Sequence, residues 1–199
     1  MFDVVCLSSG GLDSTVCLKL FQRQGLKALP VFINYGQRNH DDEFASLLSN
    51  CQLHQFHPPE VFDFSSFGQN IETGLTSPQK HVVDDAFTPN RNLLFLTIAA
   101  SVAYNRGCMT LALGFLIKDS AIFPDQTDTF LEATESLLSV SLGTKMRIVC
   151  PLRDFSKQDV VRVAAEIGID RHYSCHVGGK PCGSCIACLE YRGTEWAET

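Results

Sequence analysis

The sequence contains no run of basic residues. Its 16 lysine and arginine residues occur as scattered singles and are outnumbered by 22 aspartate and glutamate residues, so the formal net charge is −6. Proteins that bind a nucleic-acid backbone usually carry a basic stripe, because that stripe neutralises phosphates. We therefore expect no direct binding of DNA or RNA.

Long apolar runs are also missing. No apolar stretch approaches the roughly 20 residues that a membrane span needs, and Met1 leads directly into a predicted strand, which leaves no room for a signal peptide. We therefore expect a cytoplasmic protein with no membrane partner. The nine cysteines should then be reduced or metal-bound rather than paired in disulfides.

Two common nucleotide-binding signatures are absent as well. The sequence has neither the spacing and lysine of G-x-x-x-x-G-K-[ST] nor G-x-G-x-x-G. It has instead S-G-G-L-D-S at Ser9–Ser14, directly after the apolar run Phe2–Leu7 and before a helical pattern. The glycines allow the backbone to approach a ligand closely, and the N terminus of a helix favours an anion. A capped strand-to-helix turn would explain the same residues, but position and composition together favour phosphate binding.

Apolar runs alternate with helical patterns over residues 1–170. The runs predict five strands, at Phe2–Leu7, Leu29–Asn34, Leu53–His57, Thr110–Phe115 and Met146–Cys150. Periodicity predicts helices at 13–24, 40–51, 91–106, 127–141 and 156–168. This alternation is typical of an α/β fold with about five parallel strands and helices on both faces. Residues 58–90 lack periodicity and are predicted to form a long lid or binding loop.

The segment 171–199 changes character and is predicted to be a small metal-binding appendage to the 1–170 domain. It contains C-x6-C-x2-C-x2-C, formed by Cys175, Cys182, Cys185 and Cys188. Four thiolates from a short, tightly turning segment suit tetrahedral Zn²⁺. Iron–sulfur proteins use a similar spacing, usually with a proline after the last cysteine, where this chain has Leu189. The other five cysteines lie in strand or helix patterns and are predicted to be small buried hydrophobes.

Polar side chains follow the ends of the other predicted strands. Tyr35, Gln37 and Arg38 form either a plain turn or part of a nucleotide pocket. Arg91 lies in the first turn of a helix, where its charge opposes the helix dipole and calls for an anionic partner such as a phosphate. Lys157, at the start of the last long helix, reaches either a phosphate or the solvent.

The hexapeptide Ser9–Ser14 resembles the PP-loop of the ATP pyrophosphatase superfamily. Those enzymes cut ATP between the α and β phosphates and leave AMP on an oxygen of the substrate. The resemblance implies that the loop cradles the leaving pyrophosphate and that its aspartate binds Mg²⁺, a cation that prefers oxygen ligands. The implied cradle consists of Ser9, Gly10, Gly11, Asp13 and Ser14.

The motifs as a set are similar to those of the 7-cyano-7-deazaguanine synthase family, known as QueC. After the loop come Y-G-Q-R at Tyr35–Arg38, P-x-R-N at Pro89–Asn92, P-L and S-K within Pro151–Lys157, and S-C…C-G-x-C-x-x-C at Ser174–Cys188. The matches cover the whole chain in the family's order. They imply a Rossmann-like adenine-nucleotide alpha hydrolase fold and a homodimer.

The resemblance also implies a reaction and a set of site residues. ATP adenylates the carboxylate of 7-carboxy-7-deazaguanine, ammonia displaces AMP to give an amide, and a second activation dehydrates this amide to the nitrile. The implied cofactors are ATP, Mg²⁺ and Zn²⁺. The predicted catalytic residues are Asp13, Arg91, Lys157 and Asp119. The predicted nucleotide-binding residues are those of the loop with Tyr35, Gln37, Arg38, Arg91 and Asn92, and the predicted substrate residues are Asp119, Phe123 and Asp125.

One stretch departs from the family pattern G-V-N-x-V-D-x-S-G-Y-P-D-C-R-x-x-F. The aspartates and the proline are kept, but Leu116 replaces the asparagine, Ala121-Ile122 the Ser-Gly pair and Gln126-Thr127 the Cys-Arg pair. Three readings therefore stay open. In the first, the protein makes the free nitrile. In the second, it is a divergent relative from an anti-phage system that joins the deazaguanine acid by an amide bond to an amine of a protein or other macromolecule. In the third, it is a catalytically silent nucleotide-binding module.

Overall fold

A computed structural model of the protein describes residues 1–117 and 121–194. Its five strands are all parallel and form one sheet in the order β3-β2-β1-β4-β5. The strands are β1 (Val4–Leu7), β2 (Ala28–Asn34), β3 (Glu60–Asp63), β4 (Thr110–Ala112) and β5 (Arg147–Val149). The α/β fold predicted from the alternating pattern is thus confirmed.

Seven helices accompany the sheet in the described part of the chain, with a 3₁₀ turn at Pro124–Gln126. They are α1 (Leu12–Arg23), α2 (His40–His54), α3 (Ser65–Asn70), α4 (Arg91–Asn105), α5 (Asp128–Leu142), α6 (Lys157–Glu166) and α7 (Ile186–Glu190). None of the described helices is both long enough and apolar enough to span a bilayer.

The central strand β1 is buried on both of its faces. Val4 and Cys6 pack into one apolar cluster with residues of α1, α2 and α6. Val5, which points the other way, packs into a second cluster with residues of α4 and α5. Because successive strand side chains alternate between faces, a strand covered on both faces is apolar at every position. This is why the strand residues Val4–Leu7 are continuously apolar rather than alternating.

The strand order creates a crevice beside β1. The chain runs from β1 outward to β2 and β3, and then crosses back through α4 to place β4 on the other side of β1. Loops that leave β1 and β4 therefore diverge at the carboxyl edge of the sheet, and ligands of such sheets bind at this switch point. The loop Ser9–Ser14 lies there.

The third strand was placed wrongly from the sequence. The residues predicted as strand, Leu53–His57, begin with the last two residues of α2. This helix ends at His54, and its C-cap residue Gln55 has a left-handed conformation (φ 56°). The actual strand β3 lies within the predicted loop 58–90, together with α3. As an edge strand, β3 has half-buried and exposed residues in alternation, so it lacks the continuous apolar run that marks β1.

We predict that Gly10→Ala destabilises the fold far more than Gly25→Ala. Both glycines have positive φ, 82° and 76°. A Cβ at Gly10 would lie 2.4 Å from the carbonyl oxygen of Glu43 and 2.6 Å from the amide nitrogen of Leu47, whereas at Gly25 it meets nothing within 4 Å. Gly25→Ala should cost about 1 kcal/mol of backbone strain, and Gly10→Ala at least about 3 kcal/mol. Urea denaturation measures both, and equal losses would contradict the prediction.

Candidate nucleotide and substrate site

The loop between β1 and α1 is held by two other parts of the chain. The carbonyl oxygen of Gly10 accepts a hydrogen bond from the hydroxyl of Ser46 in α2 at 2.8 Å and another from the N–H of Tyr173 at 3.3 Å. No side chain caps the N terminus of α1, whose N-cap residue is Gly11. Such an uncapped helix start directs N–H groups and a partial positive charge toward the space above it.

The end of β4 passes very close to this loop. At Gly114 an added Cβ would lie 3.0 Å from the Cβ of Asp13 and 3.2 Å from the amide nitrogen of Ser14. A side chain at this position would push the end of β4 away from the loop. Glycine therefore allows the two segments to lie together in one wall of the site.

Two neighbouring cavities meet at the loop. The first, of about 260 Å³, lies at the carboxyl ends of β1, β2 and β4 and has apolar walls that include Phe95 and Phe115. The second, of about 210 Å³, lies between the loop, Phe123, the start of α6 and the C-terminal segment. Six residues line both cavities: Ser9, Asp13, Ser14, Glu43, Arg91 and His176.

Arg91 lies where the two cavities join. Its guanidinium stands over the rings of Tyr35 and Phe95, 5.5 Å and 5.9 Å from their centroids, and donates a 3.4 Å hydrogen bond to the hydroxyl of Tyr35. The Nε–H is buried and has no hydrogen-bond partner among the described residues. Because an unsatisfied buried donor costs about 1–3 kcal/mol, this group suits an acceptor supplied by a ligand.

Lys157 is bound by two carboxylates. Its Nζ donates to both oxygens of Asp13 at 2.8 Å each, and it lies 3.0 Å from Oε2 of Glu190. The Tyr191 ring centroid is 5.0 Å away. Burial alone would lower the pKa of Lys157, but Asp13, Tyr191 and Glu190 outweigh it and raise that pKa above its usual value. The ammonium is therefore charged, and its closest partners are side chains of this chain.

Glu43 is a site residue that sequence analysis did not identify. It is the last of three successive acids in the first turn of α2. Its Oε2 accepts a 3.1 Å hydrogen bond from Nε2 of Gln37. Burial raises the pKa of Glu43 to about 7, although hydrogen bonds from Gln37 and Asn39 oppose the shift. A carboxyl group that titrates near neutrality thus faces both cavities.

Most of the predicted site residues converge on these cavities. Those that line at least one of them are Ser9, Gly11, Asp13, Ser14, Tyr35, Gln37, Arg91, Asn92, Phe123 and Lys157. Gly10 contributes through its backbone, as described above. Gln37 also has a supporting role, because its amide accepts from the N–H of Tyr35 and donates to the carbonyl of Ile33.

Two of the predicted residues that the structure describes lie elsewhere. Arg38 lines neither cavity; its guanidinium donates to the carbonyl of Gly74 and its N–H to that of Leu75, so it anchors the segment that follows α3. Asp125 is buried in the 3₁₀ turn, where its carbonyl accepts from the side chain of Asn92, and it lines neither cavity. Asp119 lies outside the described residues.

The C-terminal segment contributes more than its cysteines. Tyr173, His176 and Glu190 all line the second cavity. The hydroxyl of Tyr173 and Nδ1 of His176 are buried without a hydrogen-bond partner in the described chain. Sequence analysis interpreted this segment only as a metal site, because nothing in its spacing indicated that it folds back over the loop.

The four cysteines of the C-terminal segment come together as predicted. The Sγ atoms of Cys175, Cys182, Cys185 and Cys188 all lie within 4.8 Å of one another. A tetrahedral Zn²⁺ with 2.3 Å bonds requires sulfurs about 3.8 Å apart, so the donor set fits a metal ion with little adjustment. Backbone N–H groups of Cys185, His176 and Cys188 point at these sulfurs, at 3.3–3.5 Å. Such donors stabilise thiolate charge.

Four of the remaining five cysteines are buried, as predicted. Cys6, Cys17, Cys51 and Cys108 are buried and Cys150 is half-buried, and all nine thiols are free of disulfides. Burial raises the pKa of Cys6 to about 12 and that of Cys150 to about 11. These thiols are therefore protonated at neutral pH and poor nucleophiles.

Comparison with known proteins identifies relatives over nearly the whole chain. Residues 3–198 match the family model described as "Queuosine biosynthesis protein QueC". The 7-cyano-7-deazaguanine synthase of Caldicellulosiruptor bescii is 31% identical, over 94% of this chain and 89% of that protein. The synthase of Oceanobacillus iheyensis is also 31% identical, over 97% and 93%.

Solved structures with the same fold are more distant in sequence. The U34-tRNA thiolase NcsA from Methanococcus maripaludis, solved with its [4Fe-4S] cluster, superposes with a TM-score of 0.61 at 17% identity. The match covers 90% of this chain and 62% of the thiolase. A protein from Methanocaldococcus jannaschii, described as a predicted subunit of tRNA methyltransferase, gives 0.57 at 18% identity. At these identities the similarity supports the fold alone.

Glu43 should make nucleotide binding depend on pH. Above a pH of about 7 its carboxylate adds a negative charge beside the proposed phosphate site, so ATP affinity should fall as pH rises through that range. Folding stability should fall in the same direction between the unfolded value of 4.5 and about 7, because the folded protein binds the proton more tightly. In Glu43→Gln both pH dependences should flatten. A wild-type pH profile that survives this substitution would assign the titration to another group.

Cys182→Ser should remove the bound metal and lower the melting temperature. Three thiolates and a serine form an incomplete tetrahedral set, and the short C-terminal segment has a small apolar cluster of its own. Elemental analysis and thermal unfolding measure the two effects. Cys150→Ser, outside the cluster, is the matched control and should keep its metal. Full metal content with unchanged melting in Cys182→Ser would refute the assignment.

Proposed function

The chain belongs to the QueC family, and we propose that it is an ATP-dependent ligase that converts 7-carboxy-7-deazaguanine to 7-cyano-7-deazaguanine. The observation that carries this proposal is the pair of cavities joined at one phosphate-binding loop. One cavity suits a nucleoside and the other a second, carboxylate-bearing reactant, so the two reactants would meet at the loop.

The first cavity is the proposed ATP site. Its apolar walls, Phe95 and Phe115 among them, suit the faces of an adenine ring, and its polar end is the loop Ser9–Ser14. The β and γ phosphates would lie against the N terminus of α1, where N–H groups and the helix dipole favour an anion. This orientation leaves the α phosphate at the junction of the two cavities, beside Arg91.

Arg91 is the proposed stabiliser of charge in the transition state. Its unpartnered Nε–H points to an acceptor that the described residues do not supply. When a carboxylate attacks the α phosphate, negative charge accumulates on the phosphoryl oxygens and on the departing pyrophosphate. A fixed guanidinium in a partly buried site stabilises that charge without reorganising. Its contacts with the rings of Tyr35 and Phe95 hold the guanidinium plane in place.

The second cavity is the proposed site of the deazaguanine acid. Tyr173 and His176 offer polar groups to a heterocycle, and Phe123 offers an apolar surface. The bound acid attacks ATP through a carboxylate oxygen, which expels pyrophosphate and gives the acyl adenylate. Ammonia then displaces AMP to form the amide. In a second cycle the amide oxygen takes AMP, and loss of AMP with two protons leaves the nitrile.

Two metal ions complete the proposal. Asp13 would bind Mg²⁺, which supplies charge neutralisation to the phosphates. The four cysteines would hold Zn²⁺ as a structural ion, and a four-thiolate set also accepts iron. The described part of the C-terminal segment, residues 171–194, then folds against the phosphate loop and closes the second cavity. The carbonyl of Gly10, which accepts from Tyr173, is one of the contacts between them.

One observation favours a second candidate function. Ile122 lines the second cavity and is 56% exposed. Phe87 is 40% exposed, and its ring lies 5.4 Å from that of Phe123 in the same lining, so these side chains form an apolar rim. This apolar rim includes Ala121-Ile122, where the family pattern has Ser-Gly. A rim of this kind suits an acceptor larger than ammonia. In that case the enzyme adenylates the same acid and joins it by an amide bond to an amine of a protein.

The test is to incubate the protein with ATP, Mg²⁺ and 7-carboxy-7-deazaguanine and to measure pyrophosphate and products. The proposal expects pyrophosphate release that depends on the acid, and the nitrile once ammonia is added. An adenylate or amide that accumulates with ammonia present would favour the conjugating function. ATP binding with no turnover of the acid would leave only a silent nucleotide-binding module.

Asp13→Asn should lower acid-dependent pyrophosphate release by about 100-fold or more, since it removes a charge that the metal and Lys157 share. The matched control is Asp170→Asn, at an exposed position beyond the far end of α6, which should retain full activity. Retained activity in Asp13→Asn would contradict the assigned role of the loop.

A further inference from the structure

The last residue of α7 contacts the lysine that binds the phosphate loop. Glu190 lies 3.0 Å from Nζ of Lys157, opposite an Asp13 whose two carboxylate oxygens are each 2.8 Å from the same nitrogen. The lysine side chain is only 10% exposed. One ammonium group thus connects the C-terminal segment to the loop.

This arrangement poses a problem for the bound nucleotide. If Asp13 is to bind the Mg²⁺ that accompanies ATP, it must release at least one oxygen from Lys157. A largely buried ammonium left without a carboxylate is strongly disfavoured, so it would resist the exchange. A second carboxylate within reach removes that resistance, because the ammonium keeps a partner while Asp13 turns to the metal.

We propose that Glu190 is a positioning residue that holds Lys157 when Asp13 exchanges it for the divalent cation of the nucleotide. The inference rests on the proposed function only in taking ATP with Mg²⁺ as the ligand. The Tyr191 ring, 5.0 Å from Nζ, supports the same position of the lysine. Lys157 is then bound by two carboxylates and is not a direct ligand of the phosphates.

The same geometry connects the cysteine cluster to the nucleotide. Glu190 lies on a helix of five residues whose N-cap is Cys185 and which contains Cys188. A helix this short does not persist without other support. A metal ion held by these two cysteines would fix α7 and therefore the position of Glu190. Removal of the metal should change the Mg²⁺ dependence of ATP binding in the same direction as removal of the Glu190 charge.

The test is to measure ATP binding to the whole chain by calorimetry at a series of Mg²⁺ concentrations. In Glu190→Gln the Mg²⁺ concentration at half-saturation should rise about three- to tenfold, because Asp13 is then the only carboxylate partner of Lys157 among the described residues. Affinity at saturating Mg²⁺ should return close to wild type. Glu190→Asp should recover part of the effect. Glu166→Gln, which removes an exposed charge at the end of α6, is the matched control and should not shift the titration.

A double-mutant cycle separates this role from a merely structural one. Lys157→Met frees Asp13 from its ion pair. The Mg²⁺ concentration that this variant needs for ATP binding should therefore fall below that of wild type. Glu190→Gln added to that variant should then have no further effect. The proposal is overturned if Glu190→Gln leaves the Mg²⁺ titration unchanged, if it weakens ATP equally at every Mg²⁺ concentration, or if its effect persists without Lys157.

These titrations contain no deazaguanine acid. A protein that binds Mg²⁺ and ATP as described but does not turn over the acid would refute the proposed substrate and leave the role of Glu190 intact. If Glu190→Gln does not fold, the lower Mg²⁺ requirement of Lys157→Met still tests the exchange, and an unchanged requirement in that variant overturns it.

Discussion

The carbonyl oxygen of Gly10 is the point on which the arrangement of the site depends. It accepts from Ser46 of α2 and from the backbone of Tyr173, so the phosphate loop, a helix behind it and the C-terminal segment meet at one atom. The contact requires a residue with positive φ and no Cβ, since the backbone of α2 lies 2.4 Å from where that atom would be. Because this contact brings the three segments together, it supports both cavities at once.

The two cations near the phosphate loop, Lys157 and Arg91, have different surroundings. Asp13, Lys157 and Glu190 form one ion-pair group. The guanidinium of Arg91 stands over aromatic rings and makes no ion pair with a described residue, although Glu43 lines the same cavities. This separation matters because an arginine held by a carboxylate would be a poor partner for a phosphate. One cation thus belongs to the internal network and the other is directed at the cavity junction. In the proposed reaction this division assigns positioning to Lys157 and charge stabilisation to Arg91.

Much of this organisation could be predicted from the sequence, for physical reasons that differ between elements. β1 and β2 are buried on both faces, so their apolar runs are continuous and easily identified. β3 is an edge strand with a weaker pattern, and the apolar residues at the end of α2 were mistaken for it. The loop residues and the four cysteines could be located because their chemistry depends on local spacing. Glu43, Tyr173, His176 and Glu190 could not, since each reaches the site through a long-range contact that no local pattern encodes. Arg38 shows the converse: it lies within a motif, but its guanidinium donates to Gly74 and lines neither cavity.

The central claim is that the two cavities bring a carboxylate and the α phosphate of ATP together. The most direct test is to supply 7-carboxy-7-deazaguanine with both carboxylate oxygens labelled as ¹⁸O and to analyse AMP and pyrophosphate by mass spectrometry. If the carboxylate attacks the α phosphate, each AMP formed carries one heavy oxygen and the pyrophosphate carries none. Label in pyrophosphate or in inorganic phosphate, or unlabelled AMP from water attack, would contradict the account.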